Sequence, residues 1–277
     1  MDRGPGRLIG VPAWCVRGHP PRLPPDRGWT LPGTPLVAQV ALLDPDPTGP
    51  AQAAALAGLA AAVPAPVRWP RRVEALPATV RLRELPAAAG LLGVGGDELL
   101  PVRARLEPGL LVAGPPGSGR STALLVLAAG LRYLPVVAVA LRPSPLRVLP
   151  GCLTTDDPDV IEAALGVGPA VLLLDDLELL SDGPCAGLLD RVVREARDRA
   201  IVVVAAGTTP ALLTGFRGAV VELRRARSGL LLSPESPADG DLLGVRLARS
   251  ALGAAHPGRG LLVQDGTVTP VQVADPA

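Results

Sequence analysis

The stretch that most constrains this chain is GPPGSGRST, Gly114 to Thr122, because of what stands on either side of it. GLLVAG precedes it, an apolar run of strand length. Ser121 to Tyr133 follows and reads as a helix. A buried strand that empties into a glycine-rich loop and continues as a helix is the setting of the phosphate-binding pattern G-x-x-x-x-G-K-[ST]. Every slot fits except one: Arg120 stands where that pattern has lysine. Gly114, Gly117 and Gly119 allow a tight backbone path with N–H groups turned inward. The helix that follows adds its positive N-terminal end. Pro115, Pro116 and Ser118 fill the variable slots, and Ser121, followed by Thr122, supplies from its own side chain the hydroxyl that this pattern places on Mg²⁺. A turn without a ligand accounts for the glycines and prolines, but not for the ordered strand, helix and later acidic strand.

That acidic strand is VLLLDDLELL. Four apolar residues lead to Asp175 and Asp176 at the C-terminal end, the edge where open α/β sheets bind ligands. Asp175 suits a carboxylate that contacts water on a metal ion. Asp176 occupies the slot where many ATPases carry a glutamate that orients the attacking water, and its side chain is one methylene shorter. The other reading of the pair is as a cap for the next helix.

Arg120 keeps the charge of the missing lysine but not its shape. A lysine here is a compact point charge on the terminal phosphates, whereas guanidinium is wide, planar and bidentate. All 27 basic residues are arginine, and asparagine is absent as well, a bias that points to a GC-rich genome. The bias explains why arginine is available at position 120, not how it would serve. Displacing a catalytic group by about 1 Å can cost about 100-fold in rate. The sequence therefore predicts a phosphate-loop fold, nucleotide binding, and slow or lost hydrolysis.

The rest of the chain sets the frame. Runs at 136–141, 170–176 and 200–208 read as strands, and so do AVVELR at 219–224 and TVRLREL at 79–85. DPDVIEAAL, with Asp156 or Asp157 as cap, Leu188 to Arg199 and ALLTGF read as helices, as does the Ala-rich stretch 50–63. Apolar strands alternating with helices predict an α/β, RecA-like P-loop domain: a mostly parallel sheet covered by helices on both faces. Thr208 and Thr209, after the strand at 200–208, stand where a polar sensor would meet phosphate or water, or else open the next helix before Pro210. Arg224, Arg225 and Arg227 form a cluster that fits an inter-subunit arginine finger, a patch for an acidic partner, or a solvated surface.

A net charge of +1 and 2% aromatics argue against a broad nucleic-acid surface and tilt the partner toward protein, with DNA kept open. Cys15, Cys152 and Cys185 are scattered, which fits a reducing compartment. No run of about 18 apolar residues is present, so the expected location is cytoplasmic, with a membrane reached only through a partner.

The two ends resemble each other. Leu8 to Val11 matches Leu242 to Val245, Arg27-Gly28 matches Arg259-Gly260, and Ala38 to Ala41 resembles Val271 to Ala274. Each copy suggests a strand, a glycine-containing turn and a second strand. Either two unrelated hairpins or a tandem duplication would give this pattern. Duplication implies that residues 1–46 are the tail of a preceding unit, with a helix and Pro-rich linker at 47–86 and a P-loop domain at 87–277.

GVGGDELLPV, GLLVAGPPGSGRSTALL, AVLLLDD and ARSGLLLSP, followed by DGDLLGVRL, GRGLLVQDG and PVQVA, resemble the C-terminal ATPase-like unit of actinobacterial FtsK/SpoIIIE-domain proteins, among them type VII secretion ATPases. The resemblance covers residues 66–277, and the head of the chain resembles the end of the preceding unit. It implies RecA-like units in tandem within homo- or hetero-oligomers that move DNA or protein, with terminal units that are often degenerate. It also implies ATP and Mg²⁺ as ligands. Gly114, Gly119, Arg120, Ser121 and Thr122 would serve phosphate and Mg²⁺, and Asp175 and Asp176 would serve the acidic motif. Three roles follow: a degenerate ATP-binding regulatory or substrate-docking unit, a slow ATPase that works only when assembled, or an interaction module without nucleotide.

Overall fold

The computed structural model describes residues 13–16, 28–30, 37–40, 42–62, 74–252 and 256–276. The chain divides into two units, Met1–Pro70 and Arg71–Ala277. In the first unit, β1 (Ala13–Val16), β2 (Gly28–Thr30) and β3 (Val37–Val40) form an antiparallel sheet with β3 in the middle. It also holds α1 (Gly49–Ala62), the helix expected at 50–63. Gln52 fixes the start of α1: its amide accepts from the Leu43 N–H at 2.8 Å and donates to the Asp44 carbonyl at 2.8 Å.

The second unit carries the site. Its strands are β4 (Leu91–Gly95), β5 (Leu100–Arg103), β6 (Leu110–Ala113), β7 (Val136–Val139), β8 (Cys152–Leu153), β9 (Ala170–Leu174), β10 (Ile201–Gly207), β11 (Gly229–Leu232), β12 (Arg259–Gln264) and β13 (Thr267–Val273). Its helices are α2 (Arg120–Ala129), α3 (Pro158–Leu165), α4 (Leu177–Ser181), α5 (Ala186–Glu195), α6 (Thr209–Thr214) and α7 (Ala219–Arg225). The ten strands form one sheet in the order β5-β4-β13-β12-β11-β6-β10-β9-β7-β8. The six from β11 to β8 run parallel, and the other four add antiparallel at one side.

The apolar runs are continuous because the sheet is buried on both faces. Successive residues of a strand point to opposite faces, and the core divides accordingly. Leu111 and Ala113 of β6, Leu172 and Leu174 of β9, and Val203 and Ala205 of β10 join α3 to α7 on one face. Leu110 and Val112, Val171 and Leu173, and Val204 and Ala206 meet Leu124 and Leu127 of α2 on the other. The result is the three-layer α/β arrangement that the alternating pattern predicts.

Several local expectations change. Residues 219–224 are not a strand but part of α7. Ala219, Val220 and Leu223 fall on one buried helical face, and Glu222 pairs with Arg225 across one turn at 2.7 Å. The place beside β6 goes instead to β11. Residues 79–85 form no strand beyond a single bridge from Arg81 to Asp275, followed by a short 3-10 turn at Leu82–Glu84. The helix expected to reach Tyr133 ends at Ala129, and the next residue is Gly130, packed against the Ala88 carbonyl where a Cβ would come within 2.4 Å. The helix expected at 188–199 runs from Ala186 to Glu195.

In the repeat, Leu242 and Leu243 close a 3-10 helix and Gly244 leaves it in the left-handed region. The hairpin itself is β12 and β13, joined by Asp265 and Gly266, both at positive φ as a two-residue turn requires. At the other end β2 and β3 also pair antiparallel. The matched residues 8–11 and 27 lie outside the described residues, as do 63–73 of the expected linker. Among the described residues no helix is long and apolar enough to cross a membrane.

Candidate nucleotide site

The site forms where four parallel strands end side by side. The strand order puts β10 between β6, which feeds the glycine loop, and β9, which carries the acids. The sequence motifs alone do not show this insertion. It brings Gly207 and Thr208, at the end of β10, between the loop and the carboxylates.

The loop is braced from both sides. The Gly114 N–H donates to the Gly207 carbonyl at 3.3 Å, and the Ser118 N–H turns back to the Pro115 carbonyl at 3.2 Å. From outside, the Gly258 N–H donates to the Ser118 carbonyl at 2.8 Å. That turn is itself held: Gln272 donates to the Pro257 carbonyl at 3.0 Å, and Arg259 donates to Gln272 at 2.9 Å. Arg259 also reaches the Leu76 and Pro77 carbonyls, at 3.0 and 2.7 Å. The residues before β12, which no loop pattern includes, therefore set the shape of the loop.

Two glycines are required by geometry. A Cβ on Gly114 would come within 2.6 Å of the Ser118 hydroxyl and 2.8 Å of the Leu232 carbonyl. Gly119 has φ 97°, and a Cβ there would come within 3.0 Å of the Gly258 nitrogen. Gly119 is also the residue that opens α2, and no side chain caps that helix. Its first N–H groups therefore lack intrahelical acceptors. The Ser118 hydroxyl is buried and makes no hydrogen bond. An uncapped first turn above a buried, unpaired hydroxyl fits an anion, as the sequence predicts.

The acidic side also fits its expected ligand. Ser121, on the first turn of α2, donates to Asp175 Oδ2 at 2.7 Å. Ser144, beyond β7, donates to the same oxygen at 2.6 Å. Asp175 Oδ1 is buried and makes no hydrogen bond. A hydroxyl and a carboxylate that touch, with an oxygen to spare, are the hard oxygen donors Mg²⁺ takes.

Arg120 is the departure. Its Nη2 donates to Asp176 Oδ1 at 3.1 Å, and its Nη1 lies 3.9 Å from Glu178 Oε1. The Nη1 is buried and makes no hydrogen bond, so the guanidinium is hydrogen-bonded to Asp176 and within ion-pair range of Glu178. Asp176 sits in the left-handed region at φ 52°, at the head of α4, and its side chain does not cap that helix. Of the two readings of the acid pair, helix capping by side chain is not what Asp176 does. Glu178, in the first turn of α4, accepts from the Thr208 N–H at 3.2 Å. Thr208 heads α6 without a side-chain cap, and Thr209 is buried. Thr208 thus meets this network through its backbone.

Burial, and then the neighbouring Asp175 carboxylate, push Asp176 above its ordinary carboxylate pKa, against the pull of Arg120. The folded chain then binds this proton more readily than the unfolded chain. The stability it contributes is complete below the ordinary carboxylate pKa and is lost as pH rises through the raised one. Asp176→Asn is therefore expected to gain stability over the parent as pH increases from acid to neutral. Denaturant midpoints taken across that range check this. A difference between variant and parent that does not change with pH contradicts it.

Glu178 and Ser144 are the residues that sequence reading misses. Glu178 stands two positions beyond Asp176 in the same quoted stretch, a separation at which helical residues do not face each other, so no local spacing raises it. Ser144 lies 31 positions before Asp175 with no local signal. The arginine cluster does not act as one group. Arg224 donates to the Leu213 and Gly215 carbonyls, Arg225 pairs with Glu222, and Arg227 lies beside Gly244.

A glycine loop between strand and helix, an acidic strand two places away and one strand between them define the RecA-like P-loop fold. Among solved structures, the cytoplasmic domain of the type VII secretion ATPase EccC from Thermomonospora curvata matches with TM-score 0.60 and 19% identity, over 87% of this chain and 33% of that one. ATPases 2 and 3 of the same EccC, in complex with a signal sequence peptide, match with TM-score 0.62 and 21% identity, over 87% and 52%. ATPases 2 and 3 of EssC from Geobacillus thermodenitrificans match with TM-score 0.59 and 16% identity, over 87% and 53%. The chain spans about a third to a half of these proteins' length. It has the fold of type VII secretion ATPase domains, the family of folds its motifs resemble. No protein-family model matches the chain, and no curated protein matches its sequence.

Proposed function

We propose that this chain is a degenerate FtsK/SpoIIIE-type unit that binds ATP weakly with Mg²⁺ and serves as a regulatory or substrate-docking part of a translocation motor. One observation carries the reading: a well-formed phosphate cradle whose loop cation, Arg120, is hydrogen-bonded to Asp176 and lies in ion-pair range of Glu178. The loop N–H groups and the start of α2 would hold the phosphates, and Ser121 and Asp175 would hold Mg²⁺. Bound Mg²⁺ supplies charge to the phosphate oxygens. Arg120 would have to leave Asp176 to bring its whole guanidinium to the same oxygens. Asp176, turned toward Arg120, is poorly set to orient a water, so hydrolysis is slow or absent.

On this reading residues 87–277 are the unit, 47–86 the helix and linker, and 1–46 the tail of a preceding unit. The antiparallel pairing of β2 with β3 and of β12 with β13 supports that division. The partners are other FtsK/SpoIIIE units and a protein substrate. The low aromatic content and a structural neighbour that holds a signal sequence peptide favour protein over DNA. The unit works in the cytoplasm, at a membrane only through its partner.

Calorimetric titration with MgATP, followed by phosphate release at saturation, tests this. Micromolar to submillimolar binding is expected, with turnover far below the common enzyme range of about 1–1000 per second. No binding removes the reading. Turnover within that range removes its degenerate part.

A further inference from the structure

The two carboxylates that hold Arg120 occupy a particular place. A cation in this slot of the loop reaches the β- and γ-phosphates. Here its Nη2 ends on Asp176 and its Nη1 lies 3.9 Å from Glu178 without a hydrogen bond, so both carboxylates stand beside the cation that phosphate oxygens would otherwise meet. Glu178 is fixed there. Its Oε1 accepts from the Thr208 N–H, while Oε2 is buried without a hydrogen bond. Oε2 lies against Gly207, where a Cβ would approach to 2.5 Å. The Gly207 carbonyl in turn accepts from Gly114, the first residue of the loop. The Glu178 carboxylate is thus seated at the strand end that adjoins the loop, with one oxygen free.

We propose that Glu178 is a specificity-determining residue: its fixed carboxylate, together with Asp176, withholds Arg120 from a terminal phosphate and repels it, so that the site retains a nucleoside diphosphate in preference to the triphosphate. The inference rests on the nucleotide-binding reading above and adds the discrimination. Its physical basis is like charge at short range in a partly buried site, where interactions exceed their value in water. Asp176 and Glu178 face Arg120, Asp175 lies beside Asp176, and Arg142 also acts on Asp176, so three carboxylates meet two guanidinium groups before any phosphate enters. The γ-phosphate adds to that excess, while the α- and β-phosphates rest on backbone N–H groups of the loop. Glu178→Gln keeps the shape and an acceptor for the Thr208 N–H while removing the charge.

The experiment is a pair of titrations of the full chain, with MgADP and with MgATP, on the parent, on Glu178→Gln and on Asp176→Asn. The parent is expected to bind MgADP about tenfold tighter than MgATP, and Glu178→Gln to bring the two affinities close to equality through tighter ATP binding. Asp176→Asn is expected to shift the ratio the same way, because it weakens the hold on the hydrogen-bonded nitrogen of Arg120. A merely structural role for Glu178 would weaken both nucleotides together and leave their ratio unmoved. Equal affinities in the parent, or a ratio unchanged by Glu178→Gln, overturn the discrimination and leave nucleotide binding standing. No binding of either nucleotide by the parent overturns both.

Discussion

Gly119→Val is expected to abolish detectable Mg-nucleotide binding and to lower the stability of the chain by about 2 kcal/mol. Two effects add at this residue. Its φ of 97° is closed to a β-branched side chain, and its Cβ would press on the Gly258 nitrogen at 3.0 Å. That nitrogen is the donor that holds the Ser118 carbonyl at 2.8 Å, so the substitution strains the loop and dislodges its external brace together. The N–H groups at the start of α2 would then no longer converge. Denaturant unfolding and nucleotide titration on the same preparation measure both consequences. Gly117→Ala is the comparison: it also has positive φ, 80°, but open space around it, so it is expected to cost less on both counts. A valine variant with parental affinity would show that phosphate is held elsewhere.

The second large effect is expected at Asp175. This carboxylate is buried and accepts from Ser121 and Ser144 through one oxygen, while the other has no partner. Asp175→Asn retains an acceptor for the hydroxyls but loses the charge that would act on Mg²⁺ through its bound water. Nucleotide affinity in the presence of Mg²⁺ is expected to fall about 10–100-fold, the usual range for an outer-shell metal partner. Affinity in the presence of a chelator should move little. Titrations with and without Mg²⁺ separate the two, and an equal fall in both would assign Asp175 to the shape of the site instead of to the metal.

How much of this was readable from the sequence depends on the range of each interaction. The loop is local: three glycines, one strand and one helix within a short span, and the structure places them as the pattern demands. Asp175 and Asp176 were readable because an apolar run must end somewhere, and in a parallel sheet its polar end lies with the loop. The order of the strands was not readable. It is set by crossovers, and only the fold shows β10 between β6 and β9. The same insertion explains why Glu178 escaped notice, since its partner Thr208 lies 30 positions away on a strand whose neighbours the sequence does not reveal.

Residues 219–224 illustrate a different limit. AVV is equally apolar in a strand and on one side of a short helix, and only the competing claim of β11 for the place beside β6 decides between them. Arg120 shows what structure adds to a sequence motif. Its identity raised the question of geometry, and the contacts with Asp176 and Glu178 answer where the charge goes. Arginine stands in the lysine slot of the loop pattern, and Asp176 in the slot where the resemblance expects glutamate. They meet in one ion pair, which joins the two departures from the motor pattern at the point nearest the chemistry.

The most direct measurement of the central claim is the thermal midpoint of the full chain as the concentration of Mg-nucleotide is raised. A ligand that binds only the folded state raises stability by RT ln(1 + [L]/Kd). The midpoint is expected to climb steadily with the logarithm of MgADP concentration above Kd in the parent, and to stay flat in Gly119→Val. A midpoint in the parent that does not move up to millimolar MgADP and MgATP would contradict the claim that this loop still holds phosphate.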